Sequence, residues 1–129
     1  PDSDRFSTRQ RPGTPCIDAP VTVNGRAGWF LQHLGDQFKG IYFAAGNEQV
    51  KVAEQLPTTP IPISLAVVRP SGNSTGTGDV VDVHGLLATH YDATPGTFYL
   101  IRPDQHVAAR WRSFDAAKVK AALARCLGN

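Results

Sequence analysis

The residues of this 129-residue sequence that could carry thiol chemistry are two cysteines, Cys16 and Cys126. A reactive thiol needs its sulfur at a helix N-terminus, usually with a second cysteine three residues along, so that the helix dipole lowers the thiol pKa and a disulfide can close. Cys16 lies in a proline-rich stretch, and Cys126 lies on the apolar stripe of the last predicted helix. We therefore predict that Cys126 is a core residue and that Cys16 is a free thiol without a redox role.

Histidines and carboxylates raise the possibility of metal binding or acid–base catalysis. Metal sites on helices or turns usually need closely spaced ligands or paired cysteines, whereas His84 and His90 are six residues apart across a predicted turn. Asp82 and Asp92 flank turns, where a carboxylate commonly accepts hydrogen bonds from backbone N–H groups. We therefore predict no catalytic, cofactor-binding or metal-binding residue in this sequence. The side chains considered are His33, His84, His90, His106, Asp79, Asp82 and Asp92.

The stretch TFYLIRPDQHVAARWR, residues 97–112, brings several charged or titratable side chains together. Runs of β-forming residues flank Arg102, Pro103 and Asp104, a pattern typical of a β-hairpin. Pro103 and Asp104 fit the two central positions of a type I turn. The cluster of Arg102, Asp104 and His106 is therefore expected to be a solvent-facing turn and not a reactive site.

Hydrophobic periodicity predicts the elements that would position these residues. A short strand ends at an Asn-Gly turn, and apolar residues at helical spacing from Ala27 to Leu34 then predict a helix that Gly35 ends. Asn47 is a suitable N-cap, with Glu48 complementing the dipole, for a second helix. The predicted elements are strand 21–23, helix 27–34, strand 38–45, helix 47–56, strands 63–69 and 79–83, a helical segment at 86–91, strands 97–101 and 106–111, and a C-terminal helix.

The C-terminal helix has the clearest signal in the sequence. Asp115 or Ser113 can cap its start, and Gly128 can end it. Its apolar residues recur at helical spacing and are expected to face the core. These residues are Val119, Ala122, Leu123, Cys126 and Leu127.

Composition and charge exclude several classes of function. The net charge is only +2, and scattered basic residues leave no electrostatic footprint for nucleic acid. No stretch approaches the roughly 18 apolar residues that a membrane helix needs. The sequence contains no Met and starts with Pro, from which we expect a domain cut from a longer cytoplasmic protein. Residues 1–20 are predicted to be a linker or an extended arm lying on a neighbour, and residues 21–129 the folded domain.

The order of the elements, with a proline just before a terminal hairpin and a closing helix, resembles the thioredoxin fold. Three segments are together similar to the C-terminal thioredoxin-like domain of FAD-dependent aromatic-ring monooxygenases. They are GWFLQHLGDQFKGIYFA, DVHGLLATHYDATPGTFYLIRPDQHVAARWR and the Ala-rich last helix. These are class A flavoprotein hydroxylases of the phenol and 3-(3-hydroxyphenyl)propionate hydroxylase type. The resemblance covers residues 11–128. It implies an α/β thioredoxin-like fold, a central mixed β-sheet flanked by helices, without the CxxC motif.

The same resemblance implies what the parent protein does. FAD and the aromatic substrate would be held by preceding domains, which carry the glycine-rich dinucleotide fingerprint. The segment GNSTGTG at 72–78 does not have the spacing of that fingerprint. The parent would use NAD(P)H and O₂ to hydroxylate a phenolic or other aromatic substrate. This domain would be a redox-inactive structural part, with the FAD- and substrate-binding domains and a second subunit of a homodimer as partners. The alternative is a stand-alone thioredoxin-like or degenerate peroxiredoxin-like binding module that acts through protein partners.

Two details of the sequence add to these expectations. Relatives commonly read Arg-Pro-Asp-Gly in the hairpin turn, and Gln105 takes the place of the glycine. If that residue is left-handed, Gln costs about 1 kcal/mol relative to Gly, unless the turn is of a different type. Trp29 and Trp111 lie near element ends, and we hypothesise that both contact the rest of the parent enzyme or a second subunit.

Overall fold

A computed structural model of the chain describes residues 5–6, 9–57, 61–71 and 79–128. The strands found among those residues are β1 Pro20–Val23, β2 Arg26–Trp29, β3 Lys39–Phe43, β4 Ser64–Pro70, β5 Val80–Asp82, β6 Phe98–Ile101 and β7 Val107–Trp111. They form one mixed sheet in the order β2-β1-β5-β4-β3-β6-β7, in which β3, β4 and β5 are parallel and the other neighbours antiparallel. The helices are α1 Leu86–His90 and α2 Ala116–Cys126, with 3-10 helices at Phe30–His33 and Val52–Gln55.

Most of the predicted elements are confirmed. The strands expected at 38–45, 63–69 and 79–83 are β3, β4 and β5, and the expected terminal hairpin is β6 and β7. The C-terminal helix begins as predicted at an Asp115 cap, whose Oδ1 accepts hydrogen bonds from the N–H groups of Ala117 and Lys118 at 3.0 and 3.2 Å. The α/β class and the mixed sheet flanked by helices are therefore as expected.

The helix predicted at 27–34 is wrong in its first half, which is strand β2. Asn24 and Gly25 take φ angles of 52° and 77°, the left-handed values that a tight hairpin turn requires. Arg26–Trp29 consequently folds back and pairs with β1. Pairing with β1 satisfies the backbone of this segment, and only Phe30–His33 keeps a helical form. Tertiary pairing has overridden the helical spacing.

The helix predicted at 47–56 is also wrong, because side chains hold residues 45–48 in another shape. Arg69 Nη1 donates to the carbonyl oxygens of Gly46 and Glu48, both at 2.8 Å. The Glu48 carboxylate accepts from the N–H groups of Ala45 and Gly46, both at 2.7 Å. Of these groups, the Glu48 carbonyl is one that the predicted helix would use as an acceptor, and only the 3-10 helix Val52–Gln55 forms.

Two apolar clusters cover the opposite faces of the sheet, and β6 contributes to both. Tyr99 and Ile101 pack into the cluster that lies with α1, whereas Phe98 and Leu100 pack into the cluster that lies with α2. All four side chains are buried, as expected of a strand covered on both faces.

Cys126 is not the core residue that its helical spacing predicts. Val119, Ala122 and Leu123 are buried on α2 as expected, but Cys126 and Leu127 are exposed. The last turn of the helix borders an open cleft beside the β6–β7 turn. The residues that line this cleft are Phe38, Arg102, Pro103, Asp104, Cys126 and Leu127.

The turn between β6 and β7 does place Gln105 in a left-handed conformation, with φ of 62°. Gln105 N–H donates to the Arg102 carbonyl at 2.9 Å, which closes the expected β-turn. Its own carbonyl accepts from Cys16 N–H at 2.9 Å, and its Nε2 donates to the Leu31 carbonyl at 3.2 Å. The side-chain contact to Leu31 is one that glycine could not make, and it offsets the backbone cost of about 1 kcal/mol.

The described part of the N-terminal segment lies along β7 as an extended arm. Gly13 N–H donates to the Val107 carbonyl at 2.7 Å, and Val107 N–H donates to the Thr14 carbonyl at 2.9 Å. Residue 21 remains our proposed start of the folded domain, with this arm lying on it. The segment 72–78, for which the sequence predicts no phosphate-binding role, lies outside the described residues.

Candidate functional site

A depression opens at the carboxyl ends of the three parallel strands, where α/β sheets commonly bind ligands. It has a volume of about 520 Å³. The turn at residues 94–97 forms one wall, where Thr97 N–H donates to the Thr94 carbonyl at 2.9 Å and Gly96 has φ of 94°. We call this depression the strand-end pocket. Its lining includes Phe43, Ala44, Ala45, Val68, Arg69, Asp82, His84, Ala88, Ala93 and Pro95.

The strand-end pocket lies where a thioredoxin-like fold would carry its reactive thiol, after the first parallel strand. The segment that follows β3, residues 43–50, reads FAAGNEQV and has no cysteine. In addition, the residues after Phe43 form a loop and not the helix whose dipole would lower a thiol pKa. Neither the nucleophile nor its activating element is present at this junction.

The charged groups at the strand-end pocket are engaged by the protein itself. Arg69 is buried, and its Nε donates to Asp79 Oδ2 at 2.6 Å in an ion pair. Backbone hydrogen bonds, that from Ala45 above all, hold the pKa of the Glu48 carboxyl below its usual range. Asp82 accepts from Leu87 N–H and Ala88 N–H at 3.1 and 2.9 Å and so caps α1. Because these charged groups are already bonded within the protein, the surface that the pocket offers to a partner is largely apolar.

These residues do not fit a flavin pyrophosphate. A phosphate would need free backbone N–H groups or a free guanidinium. Here the amides of Ala45 and Gly46 bind Glu48, and the Arg69 guanidinium binds Asp79 and two carbonyl oxygens. The strand-end pocket therefore does not suit the pyrophosphate of FAD.

The structure separates most of the side chains that the sequence offered as possible sites. Asp82 caps α1, in keeping with the prediction for aspartates at turns, and Asp92 forms an ion pair with Arg112 at 2.9 Å. Of these side chains only Asp82 and His84 line the strand-end pocket. Within the described ranges, no three His, Cys, Asp or Glu side chains are grouped so that they could hold a metal ion. None of the described helices is long and apolar enough to cross a membrane.

The hairpin tip gathers its three charged or titratable residues as an ion-paired turn. Arg102 pairs with Asp104, and His106 Nδ1 lies 3.5 Å from Asp104 Oδ1 and 3.0 Å from the Asp104 carbonyl oxygen. The Asp104 side chain is half exposed. This geometry agrees with the expected solvent-facing turn.

Both cysteines are free, and they lie in different environments. Burial raises the pKa of the Cys16 thiol to about 11, although a hydrogen bond with Tyr91 acts in the opposite direction. A thiol with that pKa is protonated near neutral pH and is a poor nucleophile. Tyr91 in turn donates its hydroxyl to the Ile17 carbonyl at 2.7 Å, which ties the arm to the core.

Sequence reasoning missed Arg69, Arg110 and Arg112, the side chains that organise the arm and the strand-end pocket. Arg110 is 1% exposed, and its Nη1 donates to the Arg9 carbonyl at 2.6 Å. The only available signal was alternation, because Arg110 stands opposite Tyr99 in the β6–β7 register and therefore shares a face with a core residue.

Comparison with known proteins identifies the family. The sequence profile of the HcaD C-terminal domain matches residues 17–126. No match was found among curated protein sequences. A flavin-dependent monooxygenase, PieE, solved in complex with FAD and substrate, superposes with a TM-score of 0.70 at 20% identity, covering 95% of this chain and 21% of that one. Aklavinone-11 hydroxylase, solved with FAD and aklavinone, superposes with a TM-score of 0.66 at 20% identity, over 87% of this chain and 20% of that one.

The chain therefore spans about a fifth of the length of these two monooxygenases. It also superposes on the peroxidoxin BcpB from Mycobacterium tuberculosis with a TM-score of 0.66 at 15% identity, covering 93% of this chain and 99% of that one. The fold is thus thioredoxin-like, and the expected resemblance to a domain of FAD-dependent monooxygenases is confirmed. The chain belongs to the HcaD C-terminal domain family.

Proposed function

We propose that this chain is the redox-inactive C-terminal domain of a FAD-dependent monooxygenase that hydroxylates a phenolic substrate with NAD(P)H and O₂. The observation that carries the redox inactivity is the junction after β3, which lacks cysteine and whose amides bind Glu48. The domain's own role is structural. It packs on the FAD- and substrate-binding domains, which hold FAD and NAD(P)H, and it supports a homodimer. The free state of both cysteines is compatible with a reducing, cytoplasmic location.

The redox part of this proposal is tested with the two cysteines. In the full-length parent, a variant with both Cys16→Ala and Cys126→Ala should bind flavin and hydroxylate phenol at the wild-type rate, because neither thiol takes part in the reaction. The chain of residues 1–129 should also fail to reduce insulin disulfides under conditions in which thioredoxin does so. Disulfide reduction by this chain, lost in the double variant, would overturn redox inactivity.

The second candidate is a stand-alone binding module, which the near-complete coverage of a peroxidoxin of similar size favours. The parent's flavin content separates the two. A full-length protein with bound flavin and phenol-dependent NAD(P)H oxidation supports the monooxygenase. A full-length protein without flavin that binds a protein partner supports the module.

A further inference from the structure

We propose that the strand-end pocket is the surface on which the preceding part of the same polypeptide packs. This inference rests on the proposed function, because it requires flavin- and substrate-binding domains before residue 1. It goes further by naming the surface that they cover.

The chemistry of the pocket suits apolar side chains. Ala45, Ala88, Ala93 and Pro95 contribute to its lining, while Arg69 and Asp82 are held in the hydrogen bonds described above. An apolar lining whose charged neighbours are already bonded gains most by excluding water, and gains little from a charged ligand.

Two exposed apolar side chains lie outside the pocket but at the same end of the sheet. Leu86, at the start of α1, is 40% exposed and follows directly after the lining residue Gly85. Trp29 is 52% exposed and ends β2. Both β2 and β5 are antiparallel to β1, so Trp29 and the carboxyl end of β5 lie at the same end of the sheet. Both exposed side chains therefore lie at the end of the sheet where the pocket opens, and we assign them to the surface that the preceding domains cover.

The course of the arm indicates which polypeptide covers it. Arg112 Nε donates to the Arg5 carbonyl at 3.0 Å, and Arg112 Nη2 donates to Asp92 Oδ2 at 2.9 Å. Asp92 is followed directly by Ala93, which lines the pocket. One side chain therefore joins the start of the described arm to the wall of the strand-end pocket. The described arm therefore starts beside the pocket, and covalent connection gives a domain joined to this arm an effective concentration in about the millimolar range.

Hydrogen–deuterium exchange of the full-length parent and of residues 1–129 tests the inference. We expect peptides covering residues 43–46 and 93–97 to exchange at least about tenfold more slowly in the full-length protein, because a packed domain excludes water from them. Ala45→Arg in the full-length protein should restore fast exchange at residues 93–97. The matched control is Ala121→Arg on the exposed side of α2, which should leave the protection intact; both alanines are exposed, so both variants should fold.

Equal exchange of these peptides in the two proteins, with flavin bound to the full-length one, would overturn the inference and leave the proposed function standing. A full-length protein without flavin absorbance would overturn both. Phenol added to residues 1–129 is the probe for a small aromatic ligand. Protection of residues 93–97 by phenol in the isolated domain, with none added by the preceding domains, would also overturn the inference.

Discussion

The two outer strands of the sheet, β2 and β7, both end in tryptophan, but the two edges differ in their pairing and in the burial of that tryptophan. The arm pairs with the first residue of β7, where Gly13 and Thr14 exchange hydrogen bonds with Val107. Trp111 is 3% exposed and packs on Phe98, with ring centroids 6.2 Å apart. Among the described residues β2 pairs on one side only, with β1, and Trp29 is 52% exposed.

This difference distinguishes the two tryptophans, for which the sequence had led us to hypothesise the same outward contact. An uncovered edge strand is a template for pairing with another chain, and proteins limit that hazard by covering the edge or keeping it short. The arm pairs with the start of β7, and β2 is only four residues long. The hypothesis of an outward contact is therefore wrong for Trp111, which is a core residue. For Trp29 the outward contact stays a prediction.

The largest effect on stability is expected from Trp111→Ala. Removing a fully buried indole leaves a cavity against Phe98 and α2, and the free energy of unfolding should fall by about 3–5 kcal/mol. Urea denaturation of residues 1–129 measures this loss. A loss below about 1 kcal/mol would mean that the covered edge is not the better packed one.

The next largest effect is expected from Phe6→Ala, which should release the arm. The guanidinium carbons of Arg110 and Arg112 lie 4.4 and 3.8 Å from the centroid of the Phe6 ring, and Tyr99 contacts the same ring edge-on at 6.0 Å. Cation–π and aromatic contacts of this kind contribute about 1–2 kcal/mol. Trypsin should therefore cleave the variant faster after Arg9.

The control for this prediction is Phe114→Ala on the other face of the sheet. The ring centroids of Phe114 and Phe98 are 5.0 Å apart, and Phe114 packs against the apolar cluster on the face opposite to that of Phe6. This variant should lose stability without selective cleavage at Arg9. Equal cleavage of the Phe6 variant and the wild type would show that the backbone hydrogen bonds alone hold the arm.

Alkaline pH should lower the free energy of unfolding through the buried thiol of Cys16. Burial raises the pKa of its thiol from 9.0 to about 11, so the folded state keeps a proton that the unfolded chain loses. The associated stability is present below pH 9 and is lost as pH rises towards 11, by about 1 kcal/mol at pH 10. Denaturation curves between pH 8 and 10.5 measure the loss. Cys16→Ala should reduce this dependence, leaving the part due to Tyr91 and Tyr99, whose pKa values burial also raises. Cys126→Ala should leave the dependence unchanged, and an unchanged slope in Cys16→Ala would contradict the assignment.

The sequence predicted the elements whose signals are local and missed those that distant residues decide. The β6–β7 hairpin and α2 follow from alternation, Pro103 and the Asp115 cap. Asn47 is a good N-cap, but Arg69, more than 20 residues away, binds the carbonyl oxygens of Gly46 and Glu48 on either side of it. Likewise, spacing alone placed Cys126 on the apolar side of α2, although the helix extends past the residues that could cover it.

Of the candidate site, the sequence predicts only what is missing, the reactive cysteine. The missing cysteine at residues 43–50 can be read directly from the sequence. The strand-end pocket cannot be read from the sequence, because its walls come from β3, β4, β5 and the turn at residues 94–97. These segments come together only through the strand order of the sheet. The arm contacts of Arg110 and Arg112 depend on the same topology.

The smallest effect on the isolated domain is expected from Trp29→Ala on the open edge. Its side chain is half exposed, so the free energy of unfolding of residues 1–129 should change by no more than about 0.5 kcal/mol. In the full-length parent the same change should speed hydrogen exchange at residues 26–29, because Trp29 lies at the end of the sheet that we assign to the preceding domains. A loss of stability in the isolated domain as large as that of Trp111→Ala would remove the contrast between the two edges. A change confined to the full-length protein would establish Trp29 as a contact residue, since only there does it have another surface against which to bury its ring.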